Sequence, residues 1–285
     1  MIDYELIDSG DGRRLERFGR YIINRPDPEA LWSKNLSLEK WQSADANYVR
    51  THNDKGHWII KKDFPQKWYV KHDGLTLTLK LSPFKHVGLF PEQEFEWNLI
   101  KKLTIEHKQK LKLQPNILNL FAYTGVASLT ALAAGAKITH VDASRPAITW
   151  FKENQEASGL LDKPARVIID DCLKFTAREA KRQVKYDGVI MDPPVYGHGP
   201  NGEHWSFSKD FPKLLDNTVD ILSDNPAFVI INAYAVSTSP TTIANMLREK
   251  LSKFGGTVTH GELTLNESST NRTLSTGIYS IWTSS

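Results

Sequence analysis

The chain has 285 residues, of which 40% are hydrophobic and 24% charged, and its formal net charge is +3. This length accommodates one large α/β domain with a smaller attachment, and the composition is typical of globular proteins. No apolar run approaches the ~20 residues of a membrane helix, and the first residues lack the pattern of a secretory signal. A single cysteine, Cys172, excludes an internal disulfide, so we expect a reduced, cytoplasmic protein.

The positive charge is concentrated in one short segment. Residues 76–115 hold 7 Lys and Arg against 4 Asp and Glu, whereas residues 1–75 hold 13 against 12. The lysines that make up most of this excess are Lys101, Lys102, Lys108, Lys110 and Lys112. We interpret them as the solvated face of a helix, and a phosphate-binding patch is the alternative.

Residues 1–80 are predicted to form a small β-rich N-terminal domain, which we interpret as a substrate-binding module. Two Asp-Gly pairs, Asp11-Gly12 and Asp73-Gly74, stand between strand-like runs and predict β-hairpins. Leucines at alternate positions from 75 to 81 predict a strand with one buried face.

A helix is predicted after Pro91. Phe95, Leu99 and Leu103 recur at helical spacing and predict its buried stripe. Acidic residues in its first turns favour a helix start here because they complement the helix dipole.

Residues 81–285 are predicted to form an α/β domain with a doubly wound, mostly parallel sheet. Five short apolar runs, typical of parallel strands buried on both faces, cover residues 116–121, 138–142, 166–170, 188–192 and 228–232. Helical stretches lie between them, and Gly135 and Gly159 predict helix ends. Two strands, over residues 257–265 and 274–283, follow the last helix directly and predict a terminal antiparallel hairpin.

Ligands of such sheets bind at the carboxyl ends of the strands. The first strand runs into a turn with Gly125, which lets the backbone bend sharply and approach a ligand. The second strand ends in Asp142, whose carboxylate can accept ribose hydroxyls. A dinucleotide site needs more glycines for its pyrophosphate, so these features favour S-adenosylmethionine over NAD.

The fourth strand ends in Asp192-Pro193-Pro194-Val195-Tyr196. Two prolines stiffen this turn, and the Asp192 carboxylate and Pro193 carbonyl are two acceptors for an amine that attacks a methyl group. Tyr196 offers a ring for stacking on a flat substrate. The following loop, residues 197–205, is interpreted either as a substrate lid in which Glu203 or a histidine acts as a base, or as a flexible surface loop.

The sequences NLFAYTGVASL, HVDAS, IIDDC and IMDPPVYGHG resemble the successive motifs of class I S-adenosylmethionine-dependent methyltransferases. More narrowly, they resemble the bacterial large-subunit ribosomal-RNA methyltransferase group that carries F-x-Y-T-G and D-P-P-x-F. HVGLFPEQ is similar to the G-x-F-x-D-Q segment of that group. The resemblance covers roughly residues 80–285 and is more specific for the cofactor than for the substrate.

The resemblance implies roles for individual residues. It assigns the cofactor site to Gln93, Phe121, Ala122, Tyr123, Thr124, Gly125, Asp142, Ala143, Ser144, Asp171, Cys172 and Asp192. Within this set it places Asp142 on the ribose, Asp171 on the adenine amino group and Gln93 at the methionine end. Asp192, Pro193 and Tyr196 face the methyl acceptor.

Two departures from the group bear on the reaction. The fifth strand continues without a thiol, and Cys172 belongs to the adenine end, so covalent cytosine methylation is disfavoured. Val195 separates the second proline from Tyr196, which departs from the pattern of amino-directed enzymes. No metal site is expected, because His198 and His204 alone are too few ligands.

The sequence therefore predicts a methyltransferase that acts on a nucleobase of structured RNA, with ribosomal RNA preferred, by direct non-covalent methyl transfer. Two alternatives remain open. The acceptor can be a protein or a small molecule, because the cofactor motifs do not specify it. The fold can also serve as a non-catalytic binding module, which the three aspartates at the strand ends disfavour.

Overall fold

The structure, a computed structural model, describes residues 2–51 and 56–285. The chain forms two compact units. The first comprises the residues up to Glu94 together with Thr264–Thr276, and the second comprises Phe95–Leu263 and Gly277–Ser285. The boundary expected near residue 80 thus differs from the observed division in two places. Residues 81–94 and the tip of the closing hairpin belong to the first unit.

The first unit contains a five-stranded sheet, a separate two-stranded hairpin and a short helix. The sheet has the spatial order β1-β2-β3-β4-β5, and β6 pairs with β7. The strands are β1 Tyr4–Gly10, β2 Arg13–Phe18, β3 Tyr21–Pro26, β4 Ala46–Arg50, β5 Gly56–Ile60, β6 Trp68–His72 and β7 Leu75–Leu79. Helix α1, Leu38–Gln42, begins after Ser37, whose side chain accepts from the backbone N–H of Lys40.

Both hairpins predicted from Asp-Gly pairs are present. β1 and β2 are joined at Asp11-Gly12, and β6 and β7 are joined at Asp73-Gly74. All four turn residues have positive φ angles, between 46° and 83°. This conformation belongs to the tight turns that match the twist of paired strands, which explains the preference for Asp-Gly.

The second unit is built on a seven-stranded sheet with the spatial order β10-β9-β8-β11-β14-β16-β15. Its strands are β8 Asn116–Leu120, β9 Lys137–Asp142, β10 Ala165–Ile169, β11 Gly188–Met191, β14 Phe228–Ala233, β15 Thr257–Asn266 and β16 Thr273–Thr283. A two-stranded ribbon, β12 Tyr196–His198 with β13 His204–Ser206, stands apart from this sheet. The helices are α2 Glu94–Leu111, α3 Val126–Ala133, α4 Arg145–Ala157, α5 Cys172–Lys181, α6 Phe207–Asp220 and α7 Pro240–Lys250.

The strand order places β8 between β9 and β11, and all three are parallel. β10 and β14 extend the parallel part on either side, and β16 runs antiparallel to β14. This confirms the predicted doubly wound sheet with a closing pair of strands. Because the carboxyl ends of parallel strands share one edge, the residues after β8, β9, β10 and β11 meet there.

Helix α2 is where the sequence suggested, but its buried face is different. Phe95 is 43% exposed, whereas the buried positions include Trp97, Ile100 and His107. The buried face is therefore rotated by about 100°, or roughly one residue, from the predicted stripe, and Leu99 and Leu103 are only half-buried. Among the residues described, no helix has both the length and the apolar character needed to cross a bilayer.

Candidate active site

The segment after β8, Phe121–Gly125, has an unusual backbone. The φ angles of Phe121, Tyr123 and Gly125 are 53°, 49° and 82°. Left-handed conformations cost non-glycine residues roughly 1–2 kcal/mol each, so surrounding contacts must hold this segment in place. It forms a rigid turn between the central strand and helix α3, at the edge where the four strand ends meet.

The side chain of Phe151 leaves room only for a glycine at position 125. A Cβ atom at this position would lie 2.1 Å from Cδ2 of Phe151 and 3.0 Å from Cε1 of His140. Phe151 lies on α4, is fully buried, and stacks on His140 with ring centroids 3.9 Å apart. The sequence indicated a glycine for a sharp turn and a close ligand. The structure confirms the turn and shows that the close neighbour is Phe151.

Neighbouring strand ends hold the turn through hydrogen bonds. The backbone N–H of Phe121 donates to Sγ of Cys172 at 3.4 Å. Nδ2 of Asn154, a fully buried residue of α4, donates to the carbonyl of Thr124 at 3.0 Å. The turn is thus fixed from both α4 and α5, in accord with its strained backbone.

Asp142, at the end of β9, holds the same turn and keeps capacity for a ligand. Its Oδ2 accepts from the backbone N–H of Tyr123 and its Oδ1 from that of Ser144, both at 2.8 Å. Burial raises the pKa of Asp142, and these two hydrogen bonds oppose the rise. Each carboxylate oxygen has a second lone pair, so the group can accept hydroxyl hydrogens as well.

His140 is a buried residue that sequence reasoning did not select. It lies on β9, and burial lowers its pKa to about 3. Asn119 donates to Oγ of Ser128, which lies 2.9 Å from Nδ1 of His140. Asn119, Ser128 and His140 thus form a buried chain of hydrogen bonds between β8, α3 and β9. The signal available in the sequence was a histidine within a strand that was predicted to be buried.

The third strand end carries Asp170, Asp171 and Cys172. Asp171 is the N-cap of α5, and its Oδ1 accepts from the backbone N–H of Lys174 at 2.8 Å. Asp170 is ion-paired with Arg178. The thiol of Cys172 is buried, and burial raises its pKa well above the usual range, so it is a neutral packing group rather than a nucleophile.

The fourth strand end is fixed by a tryptophan. After β11, the backbone N–H of Asp192 donates to the carbonyl of Leu120 at 3.3 Å. Nε1 of Trp205 donates to the carbonyl of Pro194 at 2.7 Å. The buried Trp205 ring also lies 4.9 Å from that of Phe121, so it joins the first and fourth strand ends. Trp205 was assigned no role by the sequence analysis.

Residues 196–206 form a paired β-ribbon. β12 and β13 are antiparallel, with Tyr196 opposite Ser206 and His198 opposite His204. Tyr196 is 76% exposed and offers its ring to solvent. The segment interpreted as a lid or a flexible loop is therefore a regular hairpin that carries an aromatic side chain.

Glu203 within this hairpin is a weak base. Its Oε1 accepts from Nζ of Lys174 at 2.8 Å, and this contact lowers its pKa to about 2. A group with so low a pKa is a poor proton acceptor near neutral pH. Among the described residues, no group of three or more His, Cys, Asp or Glu is arranged to hold a metal ion.

The second unit thus brings most of the predicted residues to one edge of its sheet. Direct contacts join Asp142 to Tyr123 and Cys172 to Phe121, and the backbone N–H of Asp170 donates to the carbonyl of Asp142. Gln93 belongs to the first unit, and its assignment stays a prediction.

The donors and acceptors at this edge fit an uncharged ribose. Asp142 is half-buried, and among the described residues it is the backbone N–H groups of Ser144 and Tyr123 that oppose the rise in its pKa, which leaves the carboxylate suited to a hydroxyl donor. The turn holds one glycine, whereas a pyrophosphate site uses several glycines to let the backbone come close. The residues present therefore fit S-adenosylmethionine better than a dinucleotide.

Comparisons with known proteins agree with this geometry. Residues 98–260 match the family model described as Conserved hypothetical protein 95. The crystal structure of the SAM-dependent methyltransferase from Agrobacterium tumefaciens is 39% identical, with a TM-score of 0.93, and the match covers 99% of this chain and 90% of that one. The chain belongs to the SAM-dependent methyltransferases of the Conserved hypothetical protein 95 family.

Other members of the methyltransferase class are more distant. The Ribosomal RNA large subunit methyltransferase K/L of Shewanella frigidimarina is 33% identical over 161 residues, which are 56% of this chain and 21% of that protein. The homologue from Vibrio cholerae is 29% identical over 59% of this chain and 22% of its own length. This chain thus spans about a fifth of these curated relatives. SMU.776, solved with SAH, shares the fold with a TM-score of 0.71 at 18% identity, covering 98% of this chain and 75% of that one.

Membership of the SAM-dependent methyltransferases confirms the class I resemblance and the predicted fold. The individual site residues were assigned by motif, and their contacts with a ligand stay predictions. The structure identifies four further residues that support the predicted site, namely His140, Phe151, Asn154 and Trp205.

Proposed function

We propose that the chain binds S-adenosylmethionine at the carboxyl edge of its seven-stranded sheet and methylates a base of structured RNA, with ribosomal RNA preferred. The observation that carries this proposal is the placement of Asp142 and Asp192 on either side of the Phe121–Gly125 turn. The two carboxylates follow strands two positions apart, which corresponds to about 10 Å. Such a span suits a ribose at one end and a methyl acceptor at the other.

The residues of the site act mainly by positioning. Bound S-adenosylmethionine supplies an electrophilic methyl group on a positively charged sulfur. Asp142 orients the ribose, and the rigid Asp192-Pro193-Pro194 turn orients the acceptor through the Asp192 carboxylate. Exposed Tyr196 offers a face for stacking on the target base. The neutral, buried thiol of Cys172 supports transfer without a covalent enzyme intermediate.

RNA is the preferred acceptor because relatives over the methyltransferase segment are named as ribosomal-RNA methyltransferases. Those proteins are about five times longer than the matched segment, so the acceptor is inferred for this chain and not carried over. A cytoplasmic location follows from an RNA acceptor and is part of the same proposal.

The first test is calorimetric titration of the purified chain with S-adenosylhomocysteine, with NAD as the control. We expect binding of the first and none of the second. Failure of S-adenosylhomocysteine to bind overturns the cofactor assignment.

The acceptor assignment is tested by transfer of labelled methyl groups to ribosomal RNA, to a protein extract and to a metabolite extract. We expect label in RNA. Asp192→Ala should abolish this transfer while the affinity for S-adenosylhomocysteine changes little. Loss of that affinity in the variant contradicts the role of Asp192 at the acceptor, and label only in protein or small molecules contradicts the choice of RNA.

A further inference from the structure

The first unit contains a cavity that the methyl-transfer site does not use. Its volume is about 280 Å³, slightly below the ~300 Å³ at which pockets for drug-sized ligands begin. It lies between helix α1 and strands β3, β4 and β5 of the five-stranded sheet. The described residues that line it are Asn24, Lys34, Leu38, Trp41, Gln42, Asn47 and Ile59.

The sheet side of this cavity is a row of side chains across three strands. Asn24 on β3 pairs with Asn47 on β4, and Asn47 pairs with Ile59 on β5. Side chains at paired positions point to the same face of a sheet, so the three form a continuous row. Oδ1 of Asn24 accepts from Nε of Arg13 at 2.6 Å, which fixes the orientation of that amide.

The helix side of the cavity combines a rigid floor with an exposed apolar rim. Trp41 is 2% exposed, and its Nε1 donates to Oδ2 of Asp8 at 2.9 Å. Nζ of Lys34 lies 4.6 Å from the centre of the Trp41 ring. Leu38 on α1 and Ile59 on β5 are 67% and 56% exposed, on opposite sides of the opening.

The chemistry of the lining favours one class of ligand. Two aliphatic side chains can hold a flat ring between them, and the amides of Asn47 and Gln42 can both donate and accept at its edge. None of the described lining residues is acidic, and Lys34, whose Nζ also lies 3.7 Å from Oδ2 of Asp11, is the basic lining residue for a ligand that carries phosphate. An aliphatic peptide side chain would leave the amides without partners, at a cost in binding energy.

We infer that this cavity binds one nucleobase of the RNA substrate, a base other than the one that is methylated. The inference rests on the proposed RNA acceptor for its biological context, but the cavity can be tested without methyl transfer. It gives the first unit a defined recognition role despite its nearly balanced charge.

The test uses the full chain and single-stranded RNA oligonucleotides of equal length, each containing one type of base, with an abasic oligonucleotide as the reference. Affinities are measured by fluorescence anisotropy for the wild type, Ile59→Asp and Ile60→Asp. Ile59 faces the cavity, whereas Ile60 lies on the opposite face of the same strand and is similarly exposed, at 50%. Titration with S-adenosylhomocysteine shows separately whether each variant retains the cofactor site proposed for the second unit.

We expect at least one base-bearing oligonucleotide to bind more tightly than the abasic one. Ile59→Asp should weaken that binding about tenfold, the effect of losing contacts to one base, whereas Ile60→Asp should leave it within about twofold. Equal binding of the abasic oligonucleotide, or equal effects of the two variants, overturns the inference. Intact oligonucleotide binding without S-adenosylhomocysteine binding overturns the proposed function alone.

A conservative variant separates recognition from structure. Asn47→Asp keeps the size of the side chain and replaces its donor by an acceptor. We expect the order of preference among the bases to change, because a carboxylate pairs with donor edges such as the amino group of cytosine. An unchanged order of preference contradicts contact between Asn47 and the base.

Discussion

Gly125 shows how a single residue type can be fixed by a neighbour. A methyl group at this position would need both a left-handed backbone and space that the Phe151 ring occupies. We expect Gly125→Ala to lower the free energy of unfolding by about 2–5 kcal/mol, because the backbone penalty and the overpacking add. Urea denaturation measures the change.

Gly159 provides a matched control for that substitution. It has a φ angle of 67°, and a Cβ atom there meets nothing within 4 Å. Gly159→Ala should therefore cost only the backbone penalty, about 1–2 kcal/mol. Equal losses in the two variants would show that the Phe151 contact contributes nothing.

The carboxylate of Glu203 gives a second prediction for a single residue. Its ion pair with Lys174 keeps it charged down to a pKa of about 2, so it is unsuited to take a proton from the acceptor. Glu203→Gln should change the rate of methyl transfer by less than about threefold. A loss of a hundredfold or more, the usual cost of removing a general base, would restore Glu203 as a catalytic candidate.

Single residues were predictable where their chemistry is local. A glycine in a turn and aspartates after strands can be recognised from sequence, and the structure places those of the second unit at one sheet edge. His140, Asn154 and Phe151 were not recognised, because their effect depends on contacts between segments 12 to 30 residues apart. Such contacts have no signature in one sequence.

One of the contacts that tie hairpin β12–β13 to the fourth strand end is the hydrogen bond from Trp205 to the carbonyl of Pro194. Trp205→Phe keeps an aromatic ring against Phe121 and removes this donor. Since a hydrogen bond contributes about 1 kcal/mol, we expect the rate of methyl transfer to fall about fivefold. The affinity for S-adenosylhomocysteine should stay within about twofold, as the bond fixes the acceptor side.

Kinetics with a saturating cofactor and calorimetry with S-adenosylhomocysteine distinguish these effects. Ser208→Ala, an exposed position at the start of α6, serves as the control for changes near the hairpin. If Trp205→Phe weakens the cofactor affinity and lowers the rate of methyl transfer by the same factor, Trp205 stabilises the whole sheet edge. It then has no separate role on the acceptor side.

Elements were predictable from sequence to different degrees. Buried parallel strands and Asp-Gly hairpins have strong local patterns, and both were located correctly. The buried face of α2 was not, because its apolar residues surround the helix and only the neighbouring elements decide which side is covered. The β12–β13 pairing has a glycine-rich sequence that is equally typical of irregular loops.

The stability of the whole molecule depends on keeping a buried histidine neutral. The pKa of His140 falls from 6.5 to about 3 on folding, so the unfolded chain binds a proton between these pH values and the folded chain does not. The free energy of unfolding must therefore fall as the pH decreases below about 6.5, by up to about 1.4 kcal/mol per pH unit from this group.

His140→Asn should reduce the slope of the free energy of unfolding against pH by up to about 1.4 kcal/mol per pH unit. This holds whatever the substitution does to stability at neutral pH. Urea denaturation at several pH values between about 6.5 and 4.5 measures the slope. The exposed His204 supplies the control, since His204→Asn removes a histidine from the surface hairpin. An unchanged slope in His140→Asn would mean that His140 is not buried in neutral form.

The closing hairpin has a consequence for the order in which the molecule is made. One hydrophobic cluster of the first unit joins Leu6 and Ala30 to Leu265 and Leu274, which the ribosome adds more than 230 residues later. Domains ordinarily fold one after another as they emerge during synthesis, the first ahead of the second. Here the earliest strands must wait for residues near 274 before their core is complete. Strand β1 therefore precedes helices α2 to α7 in the chain, yet its core is completed only after all of these helices have been made.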